Sequence, residues 1–228
     1  MSKTTELSPV QLRHAIRSGE HVGNTSGFCQ GFVQCNLVIL PADAAADFLK
    51  FCEANPKPCP LIAMSEPGAS NIPKLGTDLD IRTDIPSYKV FENGIVTQEI
   101  SDISELWRDD LVAFLLGCSF SFEEALIADG LEVRNVTEGV NVPMYTTNID
   151  CAPVGPFTGK MVVSMRPFAP EEALRAAAIC ERFPSVHGAP IHYANPQDIG
   201  ITDITQPDYG DAVTIKEGEH PLFWACGV

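Results

Sequence analysis

The sequence contains no run of about 20 consecutive apolar residues, the length that a membrane-spanning helix needs. Its opening segment, MSKTTELSPVQLRHAIRSGE, also lacks the basic start and apolar middle of a secretory signal peptide. We therefore predict a soluble, cytoplasmic protein that has no membrane partner.

Basic residues are scarce. Lys and Arg number 15 against 30 Asp and Glu, which gives a net charge of -15 and a sequence pI of about 4.6. A surface with this charge repels a phosphate backbone instead of releasing its counterions. We therefore predict that nucleic acid is not a partner.

Common motifs for disulfides, metals and nucleotides are missing as well. The eight cysteines include no C-x-x-C pair, and without a signal peptide they are predicted to be reduced thiols. No dense group of His, Cys and carboxylates has the spacing of a metal site. The glycine-rich segment GNTSGFCQGFVQCN matches neither a P-loop nor G-x-G-x-x-G, and is either an anion cradle or a plain turn. We predict no metal and no cofactor.

The sequence does contain the ingredients of an α/β protein. Hydrophobic residues make up 45% of the 228, which is enough for a sizeable core. Start signals and apolar spacing predict helices over 8–20, 41–55, 103–117 and 121–129. Strands are predicted over 32–40 and 61–64, a hairpin around Asn93-Gly94 over 87–100, and a long loop over 69–86.

The second half has a different pattern, in which short strands predominate. Strands are predicted over 132–136, 142–148, 160–168 and 187–194, with an Ala-rich helix over 169–184. We predict a smaller α+β domain over 136–198 and a main α/β domain formed by 1–135 and 199–228. The apolar run HPLFWACGV stops at Val228, so the sequence is expected to be truncated there.

The segment LLGCSFSFEEALIADG contains a polar cluster in front of a predicted helix. Ser121 and Glu124 match the capping-box pattern, which favours a plain helix start. Cys118 and Ser119 would then lie at a helix N-terminus, where backbone N–H groups can bind an oxyanion and a thiol pKa is lowered. On the residues alone, the cap is favoured over a catalytic site.

Three other segments offer candidate site residues. Arg166, at the end of an apolar strand, suits a substrate carboxylate but also a surface ion pair. His187 precedes Gly-Ala-Pro and is either a general base or a structural histidine. Tyr145 and its neighbours face a cleft or form the polar face of an edge strand.

Taken together, several strings resemble the hydro-lyase family that includes the D-glutamate cyclase domain. They include DLDIRTDIPSYKV, LWRDDLVAFLLGCSFSFEEAL, GVNVPMYTTNI, MVVSMRPF and FPSVHGAPIH, in order from about Val22 to Val228. The resemblance implies a three-layer α/β/α domain joined to a smaller two-layer α+β domain. A member of this family would usually continue past FWACGV into a His-Ala-Pro-Gly-His-like string.

The resemblance also implies a lyase that eliminates water, and for cyclase members the conversion of D-glutamate to 5-oxo-D-proline. Its chemistry needs a base, an oxyanion donor and carboxylate clamps. Cys118, Ser119 and His187 are the implied catalytic residues. The implied substrate-binding residues are Asn36, Ser121, Tyr145, Asn148 and Arg166.

Two alternatives remain open from the sequence. One is a non-catalytic protein that binds a small carboxylate, which would tolerate loss of His187, Cys118 and Glu123 without losing affinity. The other is dehydration of a hydroxy acid, which needs no amine recognition. In every case the partner is a small carboxylic or amino acid, and a homo-oligomer stays open.

Overall fold

The structure is a computed structural model that describes residues 7–228. Its helices are α1 (Pro9–Arg17), α2 (Ala42–Ala54), α3 (Phe120–Ala128), α4 (Arg134–Glu138) and α5 (Pro170–Glu181). Its strands are β1 (Cys35–Pro41), β2 (Leu61–Met64), β3 (Tyr88–Glu92), β4 (Ile95–Ile100), β5 (Leu111–Gly117), β6 (Met144–Asp150), β7 (Lys160–Phe168), β8 (His192–Tyr193) and β9 (His220–Cys226). The chain is therefore a mixed α/β protein.

The strands form three sheets. The first has the strand order β1-β5-β2, the second is the β3-β4 hairpin, and the third has the order β6-β7-β9-β8. In the third sheet β7 pairs antiparallel with both β6 and β9. Because β7 is central and buried from Val162 to Phe168, its side chains project into packed protein on both faces.

The chain folds into two compact units. The first unit holds the described residues up to Phe32 together with Leu37–Ala45 and Ala63–Phe114. The second holds Val33–Asn36, Ala46–Ile62 and Leu115–Val228. The smaller domain expected over 136–198 stays a prediction. It concerns whether that segment folds by itself, which the division into these two units does not test.

Local sequence signals account well for α1 and for the hairpin. Ser8 caps α1 through a capping box with Gln11, and Pro9 occupies the first turn, where no N–H partner is needed. Asn93 and Gly94 both have positive φ, as a type I′ turn requires, and β3 and β4 flank them. Both predictions are confirmed.

The helix predicted over 103–117 is wrong. The segment contains a short 3₁₀ turn at Ser104–Leu106 and then strand β5, which is buried along its whole length. A short continuous apolar run such as LVAFLLG does not distinguish a buried strand from a buried helix by periodicity. The hydrogen bond from the Ser65 N–H to the Ala113 carbonyl, 2.9 Å, belongs to a sheet and not to a helix.

Two predictions in the second half also need correction. The strand predicted over 132–136 is replaced by α4, which begins at Arg134, and the buried Arg134 guanidinium donates to Glu219 at 2.6 Å. The strand predicted over 187–194 is reduced to β8, because only His192 and Tyr193 pair with β9. In both segments, contacts with residues distant in the sequence outweighed the local preference for a strand.

The predicted loop over 69–86 carries no helix or strand but is held by ion pairs within the first unit. Arg17 forms a short hydrogen bond to Asp84, whose carboxylate also accepts the Asp80 N–H at 2.7 Å. Arg82 donates to Asp80 at 2.7 Å. The alternating Asp and Arg residues of this segment therefore serve the loop's own structure. Within residues 7–228 no helix combines the length and apolarity needed to cross a membrane.

Candidate functional site

The candidate site is built around Arg166 on β7, in the second unit. Strand alternation places Ser164 and Arg166 on the same face of β7, and the facing strand β9 contributes Trp224 from the pair Ser164–Trp224. The Arg166 guanidinium lies 5.1 Å from the Phe122 ring centroid and 5.5 Å from that of Trp224. Only 1% of Arg166 is exposed, so these aromatic faces replace water around a buried cation.

Buried polar side chains surround this cation. Arg166 donates from Nη2 to Glu123 Oε1 at 2.5 Å and from Nε to the same oxygen at 3.1 Å. It also donates from Nη2 to Ser119 Oγ at 3.0 Å and from Nη1 to Ser164 Oγ at 3.2 Å. Four of the five guanidinium N–H groups therefore have partners, and the charge of Arg166 is matched by the carboxylate of Glu123.

Asn135 completes the group. Its Nδ2 donates to Glu123 Oε1 at 3.2 Å, while its Oδ1 is buried and has no hydrogen-bond partner among the described residues. Glu123 Oε1 thus accepts from both Arg166 and Asn135. A buried acceptor without a partner is uncommon in folded proteins and marks a position where a ligand donor can be bound.

His187 supplies a second polar atom of this kind. Its Nδ1–H donates to the Lys57 carbonyl at 2.7 Å, and a carbonyl can only accept, so the proton of the neutral ring lies on Nδ1. Nε2 then carries the lone pair. Nε2 is buried and has no hydrogen-bond partner within residues 7–228.

The charge state of His187 follows from its surroundings. Its pKa is lowered to about 4, chiefly by burial; the hydrogen bond to the Lys57 carbonyl raises the pKa, and the positive charges of Arg166 and Lys57 lower it. The imidazole is therefore neutral at pH 7. A neutral imidazole with a bare Nε2 can accept a proton from a bound substrate.

The turn that carries His187 packs on the end of β5. His187 follows the 3₁₀ turn Pro184–Val186 and has a φ of 85°, in the left-handed region. A Cβ at Gly117 would lie 2.2 Å from the Ser185 carbonyl oxygen, so only glycine permits this approach. The helix predicted to end at Gly117 is therefore absent. Gly117 instead ends β5 and allows the His187 turn to lie against the β5–α3 junction.

At that junction, Ser119 is the N-cap of α3, two residues ahead of the predicted cap. The predicted capping box of Ser121 and Glu124 is wrong, because Ser121 Oγ accepts the Gln34 N–H at 2.8 Å. Ser119 makes no capping hydrogen bond and instead accepts from Arg166. Ser119 therefore joins the buried polar group, whereas Ser121 holds the preceding segment.

The backbone amides of the junction are largely engaged. Gly117 N–H donates to the Pro60 carbonyl at 2.8 Å, Cys118 N–H to Gln34 at 2.9 Å, and Ser121 N–H to Cys118 at 3.0 Å. These amides are not directed at a ligand. Ser119 Oγ and the Arg166 guanidinium are side-chain donors at this junction that could stabilise an oxyanion.

Cys118 differs from the expectation for a thiol at a helix N-terminus. Its pKa is raised to about 12, chiefly by burial and also by the nearby Cys226 and Glu123. The thiol is protonated at pH 7 because desolvation outweighs the N–H of Phe120 and the charge of Arg166. Cys118 is therefore a neutral neighbour of the polar group. All eight cysteines are free thiols.

Three predicted substrate-binding residues have other surroundings on the chain. Tyr145 alternates with Met144 on β6, packs against Met165 and Phe223, and donates its hydroxyl to the Ile204 carbonyl at 2.6 Å. Asn148 is exposed, next to Gly200. Asn36 is half-buried near Gly227. Their roles in substrate binding stay predictions.

Three polar members of the group are absent from the predicted site residues: Glu123, Ser164 and Asn135. Ser164 could have been found, because it lies two residues before Arg166 on a predicted strand. Asn135 could not, since the sequence of its segment predicts a strand. Within residues 7–228, no three His, Cys, Asp or Glu side chains are grouped so as to hold a metal ion.

The lowered pKa of His187 makes stability depend on pH. The stabilisation is complete above the ordinary pKa of 6.5 and is lost as the pH falls toward about 4, because only the unfolded state then binds the proton. We expect this residue to cost about 2 kcal/mol of unfolding free energy between pH 7 and pH 4.5. Urea unfolding at both pH values should show a smaller pH dependence for His187→Gln than for the unsubstituted protein. Equal dependence in the two proteins would contradict the burial of a neutral imidazole.

Comparisons with known proteins cover both the site and most of the chain. A family model described as D-glutamate cyclase matches residues 112–228, which include Ser119, Glu123, Arg166 and His187. A protein of Azorhizobium caulinodans named "Putative hydro-lyase" is 59% identical over 95% of this chain and 80% of its own length. Proteins of the same description from Bordetella petrii and Rhizobium johnstonii are each 58% identical, over 96% and 97% of this chain and 83% and 82% of their own lengths.

Proposed function

The chain belongs to the D-glutamate cyclase family, and from that membership we propose that it is a hydro-lyase acting on a small carboxylic or amino acid. The specific reaction proposed is cyclisation of D-glutamate to 5-oxo-D-proline. The observation that carries it is the buried His187, neutral at pH 7 with an unpartnered Nε2, within the electrostatic influence of Arg166.

Cyclisation needs a base for the substrate amine. The ammonium must lose a proton before its nitrogen can attack the side-chain carboxyl carbon, and His187 Nε2 is the proposed acceptor of that proton. The new C–N bond forms a tetrahedral centre. Its C–O bond then breaks, and the leaving oxygen takes up protons to depart as water. One water is lost, and no oxidant or reductant is needed.

The tetrahedral centre carries negative charge on oxygen. Ser119 Oγ accepts a hydrogen bond from Arg166, so the Ser119 hydroxyl proton is available for donation to that oxygen. Arg166 supports this role by its charge. We propose Ser119 as the oxyanion donor, which assigns it a catalytic role.

A second carboxylate of the substrate must also be held. Arg166 already pairs with Glu123, so the substrate would use the remaining Nη1 N–H and not a bidentate clamp. Asn135 Oδ1 is the proposed acceptor for the amine. Glu123 acts as a positioning residue, because it holds Arg166 and Asn135 by one oxygen.

The test is a mass-spectrometric assay of the purified protein with D-glutamate, L-glutamate and a panel of small hydroxy acids. A product lighter by one water from D-glutamate alone supports cyclisation. Water loss only from a hydroxy acid keeps the hydro-lyase and rejects the cyclase reaction. Tight binding of one acid with no product from any of them would replace the enzyme with a carboxylate-binding protein.

We also propose a cytoplasmic protein without nucleic-acid partners, supported by the eight free thiols and the acidic composition. The family resemblance supports a three-layer α/β/α domain with a smaller α+β domain. Light scattering of the purified protein would test whether it self-associates.

A further inference from the structure

The segment Asn55–Pro60 supplies the carbonyl that orients His187. The Lys57 carbonyl accepts the Nδ1–H of His187 at 2.7 Å, and Lys57 Nζ donates to the Ala189 carbonyl at 2.8 Å. The Pro60 carbonyl accepts the Gly117 N–H. One short segment therefore contacts the His187 turn on one side and the β5–α3 junction on the other.

This segment has few backbone donors with which to hold itself in place. Three of its six residues, Pro56, Pro58 and Pro60, have no N–H. Of the others, Cys59 N–H donates to the Asn55 carbonyl at 3.0 Å, and Asn55 N–H donates back to Phe51 at the end of α2. The position of the segment must therefore depend on side-chain anchors.

Asn55 provides such an anchor, with three side-chain hydrogen bonds. Its Nδ2 donates to the Phe51 carbonyl and to the Ala152 carbonyl, both at 2.9 Å, and its Oδ1 accepts the Ala152 N–H at 2.8 Å. Only 6% of Asn55 is exposed. Its side chain thus joins the end of α2 to a backbone segment 97 residues further along the chain. Both the NH₂ and the C=O of its side-chain amide are hydrogen-bonded.

We propose that Asn55 is a positioning residue for His187, acting through the Lys57 carbonyl to fix the ring tautomer that leaves Nε2 bare. This inference rests on the proposed function, in which Nε2 is the base. It assigns Asn55 no contact with substrate. Without the anchor, the Lys57 carbonyl would shift, and the Nδ1–H would no longer be held.

The test begins with the protein alone, without any substrate. Nitrogen-15 spectra distinguish protonated from unprotonated ring nitrogens, and the His187 signals are identified by their loss in His187→Gln. We expect a proton on Nδ1 and a bare Nε2 in the unsubstituted protein, and a mixture of tautomers in Asn55→Ala. A single unchanged tautomer in Asn55→Ala would overturn the proposal.

Two further variants separate positioning from general loss of stability. Asn55→Asp keeps the size of the side chain and the bond from Ala152 N–H but loses both donated bonds, so it should show an intermediate mixture even where Asn55→Ala fails to fold. Thr147→Val is the matched control, since it removes another buried side-chain bond, to the Met161 carbonyl at 2.7 Å. Its His187 spectrum should be unchanged, and an equal change there would overturn the proposal.

Turnover provides the second readout. For the acid that the mass-spectrometric assay identifies, Asn55→Asp should lower kcat by about 10²-fold with little change in KM, because a misplaced base affects the chemical step more than binding. A rise in KM at constant kcat would overturn the proposal. If no acid is turned over, the proposed function fails, and the tautomer spectra still decide the role of Asn55.

Discussion

His187→Gln lowers kcat by about 10²- to 10⁴-fold if His187 is the general base, which is the range that such groups contribute. The expected cause is loss of the only proposed proton acceptor, since Nε2 is buried without a partner and the ring is neutral at pH 7. KM should change little, because Arg166 and Glu123 keep their contacts. Steady-state kinetics on the acid that loses water in the assay measures both parameters.

His192 offers a matched control for this prediction. It lies five residues further along, and its Nε2 bonds to the Asn195 carbonyl at 2.7 Å. The Nε2 of His192 therefore carries a proton, whereas in His187 the proton is on Nδ1. His192→Gln should retain kcat. Turnover that survives in His187→Gln, or that falls equally in both variants, would exclude His187 as the base.

Glu123→Ala should lower the free energy of unfolding by about 3–5 kcal/mol, because it leaves the charge of Arg166 buried without a counter-ion. Arg166 is 1% exposed and Glu123 is 3% exposed, so water cannot replace the lost carboxylate. Asn135 also loses the acceptor of its Nδ2. Urea unfolding monitored by tryptophan fluorescence gives the value.

Two variants bracket that result. Glu217→Ala removes an exposed acid and should change stability by less than about 0.5 kcal/mol. A double variant, Glu123→Leu with Arg166→Met, should be more stable than Glu123→Leu alone, because it removes the unpaired charge as well. A loss below about 1 kcal/mol in Glu123→Ala would mean that the pair is not buried as described.

The candidate site was predictable in part. Arg166, His187 and Ser119 were predicted from residue type and place; Arg166 donates to Ser119, and its charge lowers the pKa of His187, while the roles of all three stay predictions. The expected lowering of the Cys118 pKa had the wrong direction, because a sequence shows proximity to a helix start but not the burial that outweighs it. The ion pair between Glu123 and Arg166 was not predicted, because the two residues lie 43 positions apart in the sequence.

The sequence by itself determined the features that depend on neighbouring residues. Ser8 and Gln11 set the start of α1, and Asn93-Gly94 set the hairpin, because capping and positive φ are local properties. The alternation along β7 likewise placed Ser164 beside Arg166 on one face. Only the tertiary structure decided that LVAFLLG is a strand, because a short buried apolar run fits either structure until it has a partner. It also decided the state of His187, whose proton is placed by a carbonyl 130 residues away and whose charge is set by burial.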